Sequence, residues 1–371
     1  MSNKFLEKIF SVKNKDNHKV INILGLKTKF KRNDVLLNSR LQELISQIQG
    51  NSIKLTEICS KDKCCIDPKE YWWRKENFEF FQDYENLEKK YISLIKGMDK
   101  SSIDLITRII SRIQSFVLEG KVNFLLANEE KKQKKIFDRF VEENIKLANG
   151  NYARKGYILP QKDMEISVLE YRHGLDCVEH PEKFMDKDII DVGGYIGDSA
   201  IVFSELTSKN IHTFEPCEEE YNKILKTIKL NGKSNIIPNN FALGAEEKTE
   251  VIKCDHLGAT IESVSNYTLP DIPVSDIKVS TLDKYVKDNN LQVGLIKVDI
   301  EGYEQEFLKG ALETIRTQKP TLILSIYHNA SDFFDIKPFI ENLDLGYKFK
   351  AHKPFDYTIV AETVLICEVR D

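Results

Sequence analysis

Short apolar runs and amphipathic stretches alternate along the chain from Asp188 onward. The apolar runs predict strands at "DIIDVGG", "NIHTFEP", "NIIPNNFAL", "VGLIKVDI" and "TLILSIYH". The stretches between them have a helical period and predict helices over residues 198–207, 218–231, 281–289 and 303–314. Because parallel strands are joined by crossover helices, this alternation predicts an α/β fold with a doubly wound, mostly parallel sheet.

Two further strand-like runs, "YKFKAHK" and "ETVLICEV", follow the fifth strand and one more helical stretch. The loop between these runs is too short to hold a crossover helix, so we expect them to pair antiparallel. A seven-stranded sheet with five parallel strands and a C-terminal antiparallel hairpin differs from a dinucleotide-binding domain. It resembles the Rossmann-like, class I methyltransferase fold.

The chain before residue 156 has a mainly helical pattern. Periodic apolar positions predict helices at "NSRLQELISQI", "SSIDLITRIISRIQSFVLEG" and "NEEKKQKKIFDRFVEENIKLANG". We expect a serine cap and a closing glycine in the second helix, and an end at Gly150 in the third. The sequence thus predicts three segments: a basic lead-in at 1–32, a helical region at 33–155 for substrate recognition or oligomerisation, and an α/β domain at 156–371.

Charge is unevenly distributed along the chain. The net charge is −4, yet residues 1–32 carry nine lysines and arginines against Glu7 and Asp16. This lead-in also holds "HKVINILGLKTKFKR", which alternates like a strand pair. Such a segment could associate weakly with an anionic membrane surface or could simply be a solvated lead-in. We find no basic–aromatic platform or finger motif that would point to nucleic acid.

Composition limits the class and the compartment. The chain has 371 residues, of which 41% are hydrophobic and 30% charged, as in globular proteins. No apolar run approaches the roughly 20 residues that span a bilayer. The seven cysteines are odd in number and scattered, which favours reduced thiols. We therefore expect a cytoplasmic, bacterial protein, with the inner face of the membrane as an alternative location and a homo-oligomer as one option.

A glycine-rich turn follows the first strand in "DIIDVGGYIGDSA". Its glycines, Gly193, Gly194 and Gly197, do not have the G-x-G-x-x-G spacing that binds a pyrophosphate. Asp191 stands just before the turn and would repel a pyrophosphate, but it suits a ligand with an ammonium group. S-adenosylmethionine carries an ammonium and a sulfonium and no phosphate. Glu215, at the end of the next strand, is placed to accept both ribose hydroxyls, a feature that NAD enzymes share.

Four stretches carry a resemblance to a known family: "IIDVGGYIGDSA", "HTFEP", "NNFALG" and "VSTLDKYV…GLIKVDIEGYEQEFLKGA". Together they resemble the FkbM family of S-adenosylmethionine-dependent methyltransferases over about residues 157–369. The resemblance implies S-adenosylmethionine as donor, S-adenosylhomocysteine as product and a hydroxyl as acceptor. Separately, "FSVKNKDNHKVINILGLKTKFK" resembles a lead-in of bacterial surface-polysaccharide biosynthesis enzymes, which implies a sugar or glycan acceptor such as a capsule or lipopolysaccharide.

The resemblance also implies roles for individual residues. The cofactor-binding set it suggests is Asp191, Gly193, Gly194, Tyr195, Gly197, Glu215, Asn240, Phe241, Ala242 and Asp299. The catalytic set is His328, Asp299 and Glu301. His328 follows the fifth strand, where a histidine could act as the general base that takes the acceptor's proton. His352, in the C-terminal hairpin, is a weaker candidate for the same role.

Several alternatives stay open. Asp299 could fix a turn and Glu301 could cap the helix that starts near Tyr303. A divalent metal could acidify the acceptor through Asp299, Glu301 and Asp255, although we favour a metal-free route. Two other function classes compete with methyl transfer: an NAD-dependent sugar oxidoreductase, which bound nicotinamide would indicate, and a catalytically idle glycan-assembly scaffold.

Overall fold

The computed structural model divides into two compact units, Met1–Cys64 and Cys65–Asp371. It describes residues 10–15, 18–23, 26–31, 65–66, 70, 73, 77–162, 164–255, 258–261 and 274–369. In the first unit, three strands form an antiparallel sheet: β1 (Phe10–Lys15), β2 (His18–Ile23) and β3 (Leu26–Lys31). The strand pair predicted in the lead-in is therefore confirmed. The helix predicted at 38–48 lies outside the described residues.

The second unit contains the remaining elements. Its described helices are α1 (Phe78–Gln82), α2 (Tyr84–Ile95), α3 (Lys100–Glu119), α4 (Asn128–Glu142), α5 (Ile166–Leu169), α6 (Asp198–Phe203), α7 (Glu218–Asn231), α8 (Leu282–Asp288), α9 (Glu304–Lys309), α10 (Leu312–Gln318) and α11 (Ala330–Glu341). Short 3₁₀ turns occupy Arg172–Cys177 and Pro181–Lys183. None of the helices in the described ranges is long and apolar enough to cross a membrane.

Its strands build one large sheet and three smaller ones. They are β4 (Cys65–Ile66), β5 (Phe124–Leu125), β6 (Ile145–Lys146), β7 (Tyr152–Arg154), β8 (Tyr157–Leu159), β9 (Asp188–Val192), β10 (Ile211–Phe214), β11 (Ile236–Asn239), β12 (Ala242–Leu243), β13 (Lys248–Asp255), β14 (Gly258–Ile261), β15 (Val274–Ser280), β16 (Val293–Val298), β17 (Thr321–Ser325), β18 (Tyr347–His352) and β19 (Val364–Val369).

The large sheet has the order β11-β10-β9-β16-β17-β19-β18. Its first five strands are parallel, and β19 pairs antiparallel with both β17 and β18. Every residue of β9, β16 and β17 is buried, as expected for parallel strands that are covered on both faces. The predicted Rossmann-like methyltransferase fold with seven strands and a C-terminal hairpin is confirmed. The strand order reverses at β9, where α/β sheets bind their ligands.

A four-stranded sheet, β12-β15-β13-β14, was not predicted. Its strand β15 alternates buried and exposed residues, with Ile277 and Val279 facing a small apolar cluster that includes Tyr303. Such half-exposed strands have a weaker apolar signal than the fully buried strands of the large sheet.

The helices before residue 156 belong to the same compact unit as the large sheet. The apolar face of α3, which includes Ile106, Ile113 and Phe116, is buried, and Ala351 of β18 donates its N–H to the Ser102 hydroxyl at 2.9 Å. The completely buried Trp73 donates its indole N–H to the carbonyl of Tyr327 at 2.8 Å. The boundary suggested at 155 therefore does not separate two compact units.

Three element boundaries differ from the sequence predictions. The N-cap of α3 is Asp99 rather than a serine, because the Asp99 carboxylate accepts the Ser102 N–H. Helix α4 ends at Glu142 instead of Gly150, because residues 145–146 pair with β7. The helix predicted over 303–314 is split into α9 and α10. The break lies at Gly310, where a side chain would come within 1.9 Å of the Gly244 carbonyl oxygen.

The described cysteines are not all reduced. Cys177 and Cys367 are free thiols, but Cys217 is disulfide-bonded. The expectation of reduced cysteines is therefore wrong for Cys217, whose sulfur is already bonded to another cysteine.

Candidate functional site

A cavity of about 900 Å³, counting its open mouth, lies at the carboxyl ends of β9, β10, β16 and β17. Seven of the residues predicted for the site line it: Gly193, Tyr195, Glu215, Phe241, Ala242, Asp299 and Glu301. Five other predicted residues are not among its lining residues: Asp191, Gly194, Gly197, Asn240 and His328. The cavity therefore brings together the turn after β9, the acidic end of β10 and the loop after β16.

The glycine turn is held tightly against the end of β16. Gly193 has a φ of +81°, and a Cβ at this position would fall 1.8 Å from the Asp299 carbonyl oxygen. Gly194 packs on Thr213, and Gly197 is the N-cap of α6 with a left-handed backbone. The bare backbone of Gly193 thus lets two strand ends meet at the cavity wall.

The carboxylate of Asp191 is completely buried beneath the turn. One oxygen accepts hydrogen bonds from the Ser199 hydroxyl at 2.8 Å and from the Thr213 hydroxyl at 3.0 Å. The other lies 3.2 Å from the Lys297 ammonium. Asp191 does not line the cavity, and its oxygens contact Ser199, Thr213 and Lys297, so its direct contact with the donor's ammonium stays a prediction.

Lys297 was missed by the sequence reasoning. Its side chain is buried, and its ammonium donates to the Gly193 carbonyl at 2.7 Å as well as pairing with Asp191. Burial disfavours the charged form, but Asp191 and Asp299 outweigh it and raise the pKa of Lys297. A lysine inside the apolar run "VGLIKVDI" is the signal that could have found it, because buried charges are usually paired.

Glu215 lies where the sequence predicted, at the tip of β10 and on the cavity wall. Its two oxygens accept the backbone N–H groups of Tyr195 and Cys217, both at 3.0 Å. Burial raises the pKa of Glu215 to about 8. Asn240 does not reach the cavity, because its amide donates to the carbonyls of Glu215 and Pro216 and fixes the loop.

We expect the Glu215 carboxyl to make stability pH-dependent. The pKa of Glu215 is about 8 in the folded protein and 4.5 in the unfolded chain, so at pH 7 only the folded state keeps this proton. The stability that the protonated carboxyl confers is lost as the pH rises through 8. The free energy of unfolding should therefore decrease by about 1 kcal/mol between pH 7 and pH 9. Urea unfolding of the ligand-free protein at both pH values measures this decrease in the free energy of unfolding. The decrease should be about 1 kcal/mol smaller in Glu215→Gln, and an equal decrease in both proteins would contradict it.

Apolar walls continue from Glu215 toward β12. Phe241, Ala242 and Leu243 line the cavity, and the Phe241 ring packs edge-on against Phe214 with centroids 5.3 Å apart. An apolar slot beside a carboxylate suits a nucleoside, since the base is flat and apolar on its faces while the ribose offers hydroxyl donors.

Carboxyl groups dominate the opposite end of the cavity: Glu165, Asp198, Asp299 and Glu301. Burial raises the pKa of Asp198 to about 6. For Asp299, burial acts in the same direction, but Lys297 and His328 outweigh it and lower its pKa. An ionised carboxylate such as Asp299 can only accept hydrogen bonds, so it selects ligands that donate them.

His328 is surrounded by carboxylates beside the cavity. Its Nδ1 lies 2.9 Å from a Glu304 oxygen, and its Nε2 lies 3.5 Å from Asp299 Oδ1 and 3.6 Å from Glu301 Oε2. Burial would lower the pKa of His328, but the charges of Glu304, Glu301 and Asp299 raise it well above the usual range. A protonated imidazole cannot accept a proton, so the structure does not favour His328 as the general base. His352, the second candidate, lines a different cavity.

His173 is a candidate that the sequence reasoning did not identify. It lines the cavity and is buried, and its Nε2 has no hydrogen-bond partner within the described part of the chain. Its backbone is left-handed, with φ 51° and ψ 32°, which is uncommon for a residue other than glycine. Burial, and then Lys297, lower the pKa of His173 to about 3, so the imidazole is neutral.

Residues 191–349 match a family model, which is described as the Methyltransferase FkbM domain. The matched range includes the glycine turn, Glu215, Lys297 and Asp299. The match supports S-adenosylmethionine-dependent methyl transfer as the activity of this part of the chain. A comparison with curated proteins found no match.

Among solved structures, the chain is similar to a methyltransferase FkbM from Methylobacillus flagellatus KT, with 18% identity and a TM-score of 0.50. The likeness covers 80% of this chain and 62% of that one, so the chain spans less than two thirds of its length. This likeness shows that the two proteins share a fold. An rRNA methylase from Streptococcus thermophilus has 12% identity and a TM-score of 0.35, covering 57% of this chain and 100% of the other. M. jannaschii TYW2 in complex with AdoMet has 12% identity and a TM-score of 0.31, covering 58% of this chain and 83% of the other.

Proposed function

We propose that this protein transfers a methyl group from S-adenosylmethionine to a hydroxyl of a sugar, in the assembly of a bacterial surface glycan. The observation that carries the proposal is a single cavity with a nucleoside-like slot at one end and hydrogen-bond-accepting carboxylates at the other. The glycan acceptor rests further on the resemblance of the lead-in to polysaccharide biosynthesis enzymes. A location at the inner face of the membrane rests on its basic charge.

The donor would lie along the wall formed by β9, β10 and β12. Glu215 would accept the ribose hydroxyls, and Phe241 with Ala242 would enclose the adenine. Asp198 and Ser199, at the start of α6, line the cavity near Gly193, where the methionine part would lie. An acidic cavity suits this donor, which has two positive charges and one negative charge.

The acceptor would lie against Asp299, Glu301 and Glu165. Three tyrosines line the same cavity: Tyr195, Tyr303 and Tyr327. Tyrosine rings can stack on the apolar face of a sugar ring while neighbouring carboxylates accept its hydroxyls. This combination favours an uncharged polyol over an anionic acceptor, which the carboxylates would repel.

When bound, the donor supplies a methyl group that moves to the acceptor oxygen while the carbon–sulfur bond breaks and its electron pair stays on sulfur. The protein's part is to align these groups and to take the hydroxyl proton. Neutral His173 can accept that proton on Nε2. A weak base is sufficient here, because the acceptor oxygen becomes strongly acidic as its bond to carbon forms. The charge of Asp299 would then stabilise the imidazolium.

Replacing His173 with glutamine is expected to lower kcat by about 100-fold or more, the usual contribution of a general base, with little change in donor affinity. Glutamine keeps a polar side chain but cannot accept the proton. Steady-state rates together with calorimetric titration of S-adenosylhomocysteine measure the two effects. His180→Gln, a change at a half-exposed histidine outside the cavity, is the control and should behave as the wild type. A His173→Gln variant with normal kcat would remove the base role.

The function itself is tested first by donor binding and then by product analysis. Calorimetric titration with S-adenosylhomocysteine should show micromolar affinity, and titration with NAD should show none. Mass spectrometry of neutral sugar acceptors incubated with S-adenosylmethionine should then show a gain of one methyl group on oxygen. Binding of NAD instead would favour the sugar oxidoreductase, and binding of neither ligand would favour the scaffold.

A further inference from the structure

The carboxylates around His328 are arranged as a cation site, a role that the proposed reaction does not give them. Ligand atoms of Asp299, Glu304 and His328 lie within 4.8 Å of one another. Asp299 and Glu301 also line the cavity, so a cation between them and His328 would face the acceptor. The site stands at the carboxyl ends of β16 and β17.

His328 has a nitrogen directed into this cluster without a hydrogen-bond partner. Its side chain is only 8% exposed, and Nε2 makes no hydrogen bond within the described ranges. The separations of 3.5 Å to Asp299 Oδ1 and 3.6 Å to Glu301 Oε2 are too long for good hydrogen bonds. They are close to the spacing of ligands around a divalent cation, since two ligands about 2.1 Å from an ion lie about 3.0–3.5 Å apart.

Glu304 supports the ring from the other side. Its side chain is fully buried, and one oxygen accepts the Ile300 N–H at 2.9 Å and lies 2.9 Å from His328 Nδ1. Metal-binding histidines almost always present their second nitrogen to such a carboxylate, which fixes the ring and leaves the other nitrogen free to coordinate. The His328 ring also packs against Tyr327 at a tilt of 39°, with centroids 4.1 Å apart.

We propose that a divalent cation of the Mn²⁺ class binds at the cluster of Asp299, Glu304 and His328. Its ligands are His328 Nε2 and Asp299, with Glu301 as a third ligand from the cavity side, and Glu304 is the positioning residue behind the histidine. One imidazole and two carboxylates suit first-row divalent ions, whereas Mg²⁺ and Ca²⁺ prefer sites made of oxygen alone. Glu301 lines the cavity with a side chain that is 43% exposed, so it meets an ion that enters from the cavity.

A cation at this position would bind an acceptor hydroxyl and lower its pKa. That role rests on the proposed function, but cation binding itself does not. The natural competitor for the site is a proton on His328, which the same carboxylates also stabilise. A direct binding experiment distinguishes the two, because a site that holds a cation takes up added Mn²⁺ and a site held by a proton on His328 does not.

The test is electron paramagnetic resonance of Mn²⁺ titrated into metal-free full-length protein, with neither donor nor acceptor present. The signal of free Mn²⁺ should decrease with one site per chain. Binding should weaken at least tenfold in His328→Gln, and 10- to 100-fold in Glu304→Gln, the range found when a supporting carboxylate is lost. Two matched controls, His180→Gln and Glu306→Gln, should keep wild-type affinity.

A wild-type protein that leaves the Mn²⁺ signal unchanged would overturn the proposal, and so would equal affinity in all variants, which would indicate surface binding elsewhere. Circular dichroism checks that each variant is folded. If His328→Gln does not fold, Glu301→Gln replaces it, because that exposed side chain can change without disturbing the core, and it should weaken binding at least tenfold. Since no donor is used, failure of methyl transfer and failure of cation binding are separate results.

Discussion

Replacing Glu215 with alanine should weaken binding of S-adenosylhomocysteine by about 100-fold or more at pH 8.5. We expect the carboxylate to accept two ribose hydroxyls, and each hydrogen bond to a charged group contributes about 1.5–3 kcal/mol. Glu215 lines the cavity beside Pro216 at the end of β10, and Phe241 of the apolar slot lines the same cavity. Isothermal calorimetry at this pH measures the change directly.

The matched control is Glu219→Ala on helix α7, because Glu219 is exposed and lies only four residues further along the chain. This variant should bind S-adenosylhomocysteine as the wild type does. Equal affinity of Glu215→Ala and the wild type would show that the ribose does not lie at Glu215. The donor would then have to occupy the cavity in another orientation.

Replacing Lys297 with methionine should lower the free energy of unfolding by about 3 kcal/mol or more. Methionine has a similar length, but it leaves the completely buried Asp191 carboxylate without its cation and the Gly193 carbonyl without its donor. Removing one partner of a buried ion pair typically costs about 3–5 kcal/mol. Urea unfolding followed by circular dichroism measures the difference.

Two comparisons make this prediction specific. Lys287→Met, at an exposed position on α8, should change stability by less than about 0.5 kcal/mol. The double variant Asp191→Asn, Lys297→Met should recover part of the loss, since it no longer buries an unpaired charge. A loss below 1 kcal/mol in Lys297→Met would mean that the pair does not support the turn.

The periodic elements could be predicted because their signal is local. The helix predicted over 218–231 is observed at the same bounds as α7, and the run "DIIDVGG" forms β9. Buried parallel strands appear as continuous apolar runs, so the order of strands and helices also predicted the topology. Elements governed by distant contacts were harder to predict. The break at Gly310 depends on the Gly244 carbonyl, and the half-exposed strand β15 depends on its neighbours in the smaller sheet.

The sequence by itself determined the fold, the glycine turn and the placement of Glu215 and Asp299 at strand ends, because each follows from the order of residues along a strand and the turn after it. Only the tertiary structure decided which side chains face the cavity. Asp191 is turned toward Lys297 on the neighbouring strand, and His173 comes to the cavity from a segment that precedes β9. Electrostatics depend on such neighbours, so the protonation of His328 and His173 could not be read from residue order.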